Sequence, residues 1–151
     1  PHFHLMIYYS VEDKSTIDGS SGTESSLLAN KFFFGDSDAF RDVTFKLIPQ
    51  IVEGNFIVRK AVGSTPAIMG LKLKQYYFSS DRYFELFLDV ASSSVAAGVV
   101  ALTVGYAKTL VVDMAFLLEG AEEWALPEKI LGTCRLKNVD LHGDMRFCEP
   151  Y

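Results

Sequence analysis

The chain has 151 residues and a formal net charge of −5, which fits one acidic domain. Since 49% of its residues are hydrophobic and 13% are aromatic, the composition excludes intrinsic disorder and predicts a single folded core. The acidic balance also argues against a dedicated nucleic-acid binder, which needs clustered Lys and Arg to neutralise phosphates.

The two cysteines, Cys134 and Cys148, are too few for a disulfide framework, and no Asn-x-Ser/Thr acceptor occurs. Because no secretory signal is present either, the sequence predicts an intracellular, reducing environment. Lys108 and Asp113 interrupt the apolar stretch 95–118, so it is not expected to cross a membrane. No His and Cys pattern has zinc spacing, and neither a metal nor another cofactor is expected.

The first third of the chain has few clear elements. Residues 2–9 are rich in β-formers and predict a strand. Ser, Gly and Thr dominate residues 15–26, which predicts a flexible surface loop. The side-chain oxygens of residues 36–38 predict the cap of a short helix that carries Phe40 and Arg41.

Six later segments share a β-rich composition bounded by Gly, Pro, Ser or Asp, which predicts strands with short links and antiparallel pairing. They are residues 45–48, 56–62, 71–78, 83–90, 110–118 and 131–141. Apolar residues alternate in one of them, which places Phe84 on a buried face and Glu85 on a wetter one. Residues 79–82 predict the preceding turn, and 142–151 predict an irregular tail.

One long helix is predicted over about 93–108, because Ser hydroxyls that can cap it precede an apolar run. Its two stripes are Val95, Val99, Leu102 and Tyr106, and the small residues Ser94, Gly98, Ala101 and Gly105. Pro127 suits the first turn of a short helix at 128–131. The expected fold class is α+β, a curved antiparallel sheet packed on one long helix and short helices.

An apolar helix across an aromatic-rich, curved sheet can enclose a cavity for a lipid tail or sterol. The candidate lining residues are Val95, Val99, Leu102, Tyr106, Phe84 and Phe116. Ordinary core packing explains the same residues, since every globular domain buries such stripes. Both interpretations stay open at the level of sequence.

Charged residues offer two further hypotheses. Arg59, Lys72 and Lys74 are candidates for binding anionic lipid headgroups, the alternative being a solvated sheet face. Asp113 stands in a hydrophobic run and is a candidate buried charge, because burial raises the pKa of a carboxyl group unless a cation compensates. A structural role explains it equally. No hydrolase or nucleotide-binding motif occurs, so no catalytic residue is assigned and no enzyme activity is expected.

Three blocks of sequence carry a resemblance to one known family. They are residues 45–63, 113–120 and 126–132. They resemble the C-terminal domain of the plant Enhanced Disease Resistance 2 proteins, a domain of unknown function that also occurs in algae and protists. The chain differs from the family pattern at Asn55-Phe56, where Pro-Trp is frequent, and at Ala125, where an acidic residue is usual.

The resemblance implies a lipid-associated regulatory setting. Similar proteins carry a pleckstrin-homology domain and a START lipid-transfer domain upstream, and in plants they restrain defence-related cell death. It therefore implies a noncatalytic lipid-associated module of a cytosolic, peripheral membrane protein at an endomembrane or the plasma membrane, with a START-like helix-grip fold. The alternative is a protein-interaction scaffold without a ligand. Family domains carry residues before the position of Pro1, so 1–151 is expected to be a single domain lacking its N-terminal part.

Overall fold

The computed structural model describes residues 4–141, so the predictions for residues 2–3 and for the tail 142–151 lie outside the described residues. The described part has the expected α+β class. Its helices are α1 Glu24–Phe33, α2 Asp38–Asp42, α3 Phe56–Val62 and α4 Ser94–Gly105. Its strands are β1 Phe45–Glu53, β2 Ala67–Ile68, β3 Lys74–Ser79, β4 Phe84–Asp89, β5 Val111–Leu118 and β6 Ile130–Lys137.

The strands form two antiparallel sheets, not one. Four of them pair in the order β2-β1-β5-β6, and β3 and β4 form a separate hairpin. Antiparallel pairing is thereby confirmed. The predicted short links do not hold for the central pair, since residues 54–110 connect β1 to β5. The START-like helix-grip arrangement stays a prediction.

Several local predictions are confirmed because they rest on capping or alternation. The Ser37 side chain accepts a hydrogen bond from the Phe40 amide at the start of α2, and Ser93 does the same for Ala96 at the start of α4. Phe84 packs on the core as its alternation predicted. The Ser80 hydroxyl accepts hydrogen bonds from two amides in the predicted turn.

The segment 56–62 was predicted as a strand, and this prediction is wrong. It forms α3, because the Asn55 side chain accepts a hydrogen bond from the Ile57 amide and Gly63, at φ 66°, ends the helix. The prediction of a helix at 128–131 is also wrong. Strand β6 begins there at Ile130 and pairs with β5.

The N-terminal segment differs from its predicted strand. Residues 4–9 have no strand pairing, and Tyr9 instead lies against β6. A Cβ atom added to Gly132 would come within 2.7 Å of the Tyr9 ring, and that ring also packs edge-on against Phe116. Side-chain packing therefore holds this segment, where β-propensity alone had suggested a backbone ladder.

Helix α1 occupies sequence for which no helix was predicted. Its cap is Thr23, whose side chain accepts a hydrogen bond from the Ser26 amide. Leu28, Ala29 and Phe32 are buried on one face, which anchors the helix. The predicted loop 15–26 thus ends in the first turn of α1, and its flexibility stays a prediction.

Two hydrophobic cores fill the described part of the molecule. The main core joins α1 to β1, β5 and the hairpin, around Phe32, Phe45 and Leu118. The second core lies further along β1 and β5, where Ile51, Val58 and Leu110 are buried beside α3 and α4. The described part of the chain therefore has two separately packed regions.

Arg41 connects α1, α2 and the hairpin. Its guanidinium donates hydrogen bonds to the carbonyl oxygens of Phe32, at 2.8 Å, and of Gly35. It also pairs with Asp38 at 2.6 Å and lies 5.4 Å from the ring centroids of both Tyr77 and Phe84. The Arg41 side chain is only 8% exposed, although Asp38 is 67% exposed. The hydrogen bond from Arg41 to the Phe32 carbonyl is therefore buried, and hydrogen bonds to a charged group are stronger than neutral ones.

Candidate functional site

The structure separates the residues predicted to line a lipid pocket. Phe84 and Phe116 pack against the main core, whereas Leu102 and Tyr106 pack against the second core. The two valines of the set lie on α4, where no residue is buried. The six side chains therefore do not come together around one cavity.

Helix α4 is apolar and yet largely exposed. Its twelve residues include no charged side chain, and Val95 and Val100 are 76% and 45% exposed. The small-residue stripe faces open space, because a Cβ atom added to Gly98 or Gly105 would meet nothing within 4 Å. An apolar helix face without a partner within residues 4–141 marks a candidate interaction surface.

Helix α3 packs beside α4 and adds to this surface. Val58 anchors it in the second core with 0% exposure, whereas Phe56 is 74% exposed and Ile57 58% exposed. Its two charged residues, Arg59 and Lys60, are both basic and both exposed. We refer to the exposed residues of the two helices as the α3–α4 surface, whose members are Phe56, Ile57, Arg59, Lys60, Val95 and Val100.

The structure brings together two of the three candidates for binding anionic headgroups. Lys72 and Lys74 line one surface groove of about 410 Å³, together with Gln75 and Ser92. Arg59 lies apart from them, on α3. Two of the three candidates therefore lie together and the third belongs to a different surface, while headgroup binding by any of them stays a prediction.

Asp113 is not the buried charge that the sequence predicted. Its carboxylate accepts two hydrogen bonds from Arg135 of the adjacent strand, both at 2.6 Å, and its side chain is 37% exposed. The hydrogen bonds from Arg135 hold the pKa of Asp113 below its ordinary value. The register that places Arg135 opposite Asp113 is a long-range pairing, which the local hydrophobic run could not indicate.

An ion cluster around the buried Lys46, at one end of the four-stranded sheet, was not predicted. The Lys46 ammonium, only 11% exposed, pairs with Glu119 and with Glu128, the latter at 2.5 Å. The Gly120 amide also donates to Glu128 at 3.0 Å. Although burial acts to raise the pKa of Glu128, the hydrogen bonds from Lys46 and Gly120 hold it below its ordinary value. This cluster joins the three sequence blocks 45–63, 113–120 and 126–132.

Residues 4–141 contain neither a candidate metal site nor a candidate membrane-spanning helix. No group of three His, Cys, Asp or Glu side chains in this range is placed to hold a metal ion. Of the helices in the same range, none combines the length and apolar character needed to span a bilayer.

Comparison with known proteins identifies the family. Residues 1–140 match the family described as Protein ENHANCED DISEASE RESISTANCE 2, C-terminal. This chain belongs to that family. Over 140 residues it is 37% identical to "Protein ENHANCED DISEASE RESISTANCE 2-like" of Arabidopsis thaliana, a match that covers 93% of this chain and 18% of that protein. No solved structure matches the chain.

The family assignment confirms the resemblance carried by the three sequence blocks. The Lys46 cluster gives a structural reason for their joint presence, because one residue of it lies in the first block, one in the second and one in the third. The chain spans under a fifth of the length of its Arabidopsis relative, at 18%. Activities of the longer protein are therefore considered only as proposals.

Proposed function

We propose that this domain is a noncatalytic regulatory module that associates peripherally with an anionic membrane through the α3–α4 surface. The observation that supports it best is the exposure of an uncharged, apolar α4, with no buried residue, beside a helix whose only charges are basic. Interfacial elements combine such apolar faces with Lys and Arg, which attract anionic lipids. The proposed lipid contact is on the outer surface, not in an enclosed interior.

Charge distribution favours a membrane over a neutral apolar partner. The whole chain carries a net charge of −5, yet α3 and α4 together carry only Arg59 and Lys60. A cationic, apolar surface on an acidic domain would orient these two helices toward a negative bilayer. The intracellular, peripheral location proposed for the protein agrees with this orientation.

Substituting Val95 by Asp is expected to weaken binding to vesicles of phosphatidylcholine and phosphatidylserine by about tenfold, because an apolar contact is replaced by a charge. Arg59→Ala should weaken it by about fivefold, since one cation near an anionic surface contributes about 1 kcal/mol. Sedimentation of the full chain with these vesicles measures both effects. Vesicles of phosphatidylcholine alone should bind less protein than the mixed vesicles.

The matched controls are Val43→Asp and Arg82→Ala. Val43 is 51% exposed and Arg82 is exposed in the β3–β4 turn, but neither belongs to the α3–α4 surface. Both controls should sediment like the unaltered chain. Equal binding of all four variants, or no binding of the unaltered chain, would contradict the proposal.

A protein-interaction scaffold is the second candidate function, and β6 favours it. This eight-residue strand lies at the edge of its sheet, with one side unpaired by any strand of residues 4–141. Trp124, Leu126 and Ile130, just before and at its start, are 41%, 49% and 60% exposed. An open edge beside apolar side chains suits the addition of an extended segment from a partner protein.

The scaffold hypothesis predicts a partner captured from a lipid-free extract and lost from the double variant Leu126→Lys, Ile130→Lys. Two new charges beside the edge should prevent strand addition, so recovery should fall by at least about tenfold. Quantitative affinity capture measures this loss. Val43→Lys is the control, because Val43 is 51% exposed and follows α2, away from the segments that the structure places against β6. Equal loss in both variants would contradict a role for the β6 edge.

A further inference from the structure

The groove between α2 and the β3–β4 hairpin is built in a way that the proposed membrane contact does not explain. Its residues are Asp42, Gly70, Leu71, Lys72, Leu73, Lys74, Gln75, Tyr76 and Ser92. Gly70 forms the closest approach, since an added Cβ atom would lie 2.3 Å from the Asp42 carbonyl oxygen and 2.5 Å from the Gln75 amide nitrogen. Only glycine allows the chain to pass this closely to α2.

Two cations line this groove. Lys72 and Lys74 are exposed, and neither forms an ion pair with another described residue. The one carboxylate in the lining, Asp42, accepts hydrogen bonds from the Tyr77 hydroxyl at 2.8 Å and from the Gln75 amide at 3.4 Å. With two ammonium groups against one engaged carboxylate, the groove has a net positive charge that favours an anion.

A second observation concerns an unpaired hydrogen-bond acceptor in the groove lining. The Gln75 side-chain oxygen is buried and, among the described residues, has no hydrogen-bond donor. The amide nitrogen of the same side chain faces the Asp42 carboxylate at 3.4 Å, which favours this orientation because the flipped amide would place its oxygen against another acceptor. A buried acceptor without a donor is costly, and a hydroxyl group on a bound ligand would satisfy it.

The position of the groove links it to the membrane contact. The Lys74 amide donates to the Ser92 hydroxyl at 2.8 Å, and Ser92 directly precedes Ser93, the cap of α4. The groove residue Ser92 thus lies three positions before Val95 of the α3–α4 surface in the chain. A membrane in contact with the start of α4 would therefore approach the Ser92 end of the groove.

The geometry points to this groove as a binding site for a phosphate ester that carries a free hydroxyl. Lys72 and Lys74 bind the phosphate oxygens. The Gln75 side chain, which is only partly buried as a whole, turns toward the groove on binding, so that its oxygen accepts a hydrogen bond from the hydroxyl. Such a ligand is supplied either by a lipid headgroup or by a soluble sugar or polyol phosphate. The first source rests on the proposed membrane association, whereas the second does not.

The first test uses soluble probes and no membrane. The full chain is titrated with glycerol 3-phosphate and with methyl phosphate, a dianion without a hydroxyl donor above its second pKa, while amide and lysine NMR signals are followed. Glycerol 3-phosphate should bind about fivefold more tightly, which is the effect of one additional hydrogen bond. The Lys72→Ala, Lys74→Ala double variant should lose at least about tenfold in affinity for both probes.

Two further variants make the test specific. Gln75→Leu removes the acceptor and should abolish the difference between the two probes, while its melting temperature reports whether the fold persists. Lys129→Ala with Lys137→Ala removes two exposed lysines outside the groove and should bind like the unaltered chain. Failure of both probes to shift the groove signals would overturn the proposal. Equal weakening by the groove and control lysine pairs would overturn it as well.

Vesicles then distinguish the two sources. Phosphatidylinositol and phosphatidylserine headgroups carry equal net charge, but only the first has a hydroxyl-rich ring. Preference for phosphatidylinositol, lost in the Lys72→Ala, Lys74→Ala variant, supports the headgroup as the ligand. Binding of glycerol 3-phosphate without any vesicle preference supports a soluble phosphate ester in the same groove. If the unaltered chain binds vesicles, Val95→Asp weakens that binding and neither soluble probe binds, the proposed phosphate-ester site is overturned while the membrane proposal stands.

Discussion

Replacing Arg41 by Leu is expected to lower the free energy of unfolding by about 3 kcal/mol, because one buried and one partly buried carbonyl oxygen lose a charged donor. The affected carbonyl groups are those of Phe32 and Gly35, at and beyond the end of α1. Leucine fills part of the volume but donates no hydrogen bond. The substitution also removes the cation that lies over the Tyr77 and Phe84 rings.

Urea denaturation of the full chain measures this loss. Arg59→Leu is the matched control, since Arg59 is exposed on α3 and its nearest polar contact is a long 3.5 Å hydrogen bond to the Val52 carbonyl oxygen. The control should change stability by less than about 0.5 kcal/mol. Similar losses for both arginines would show that the position of Arg41 between α1 and the hairpin does not determine its effect.

The parts of the fold that sequence predicted are those decided by near neighbours. In β4 the alternation of Phe84 and Glu85 is a property of the strand alone, so the faces could be assigned before the fold was known. The caps Ser37 and Ser93 act on amides three residues away. Such signals need no information about the remainder of the chain.

Helix α3 shows where local signals compete. Phe56, Ile57 and Val58 have strong β-propensity, which suggested a strand. Asn55 before them and Gly63 after them are the signals that identify the helix, because they supply the cap and the left-handed stop. The capping residues Asn55 and Gly63 therefore outweighed the β-propensity of the residues between them.

The candidate surfaces depended on contacts that no local pattern contains. The apolar composition of α4 predicted burial, but burial requires a neighbouring element, and Val95 meets none within the described part of the chain. Asp113 was a candidate buried charge with a structural role as the alternative, and its environment is set by Arg135, a partner 22 residues away. Lys46 and Glu128 are 82 residues apart, so their pairing could not be inferred from sequence spacing.

Replacing Lys46 by Met is expected to lower the free energy of unfolding by about 3 kcal/mol near pH 7, because two carboxylates then share a poorly solvated site without a cation. Glu119 and Glu128 are 34% and 20% exposed, so water screens their repulsion only in part. Repulsion from Glu119 and burial should raise the pKa of Glu128 in the variant. The destabilisation should therefore decrease as pH falls and Glu128 takes up a proton.

The unaltered chain should have the opposite pH dependence. Because Lys46 and Gly120 hold the pKa of Glu128 below its value of 4.5 in the unfolded chain, this group stabilises the fold above that pH and loses its contribution as pH falls through the folded-state pKa. The difference in unfolding free energy between the two proteins should thus be smaller near pH 4 than near pH 7. Lys60→Met, an exposed lysine on α3, is the control and should match the unaltered chain at both values. A difference between Lys46→Met and the unaltered chain that is independent of pH would mean that lost packing, not unpaired carboxylates, destabilises the variant.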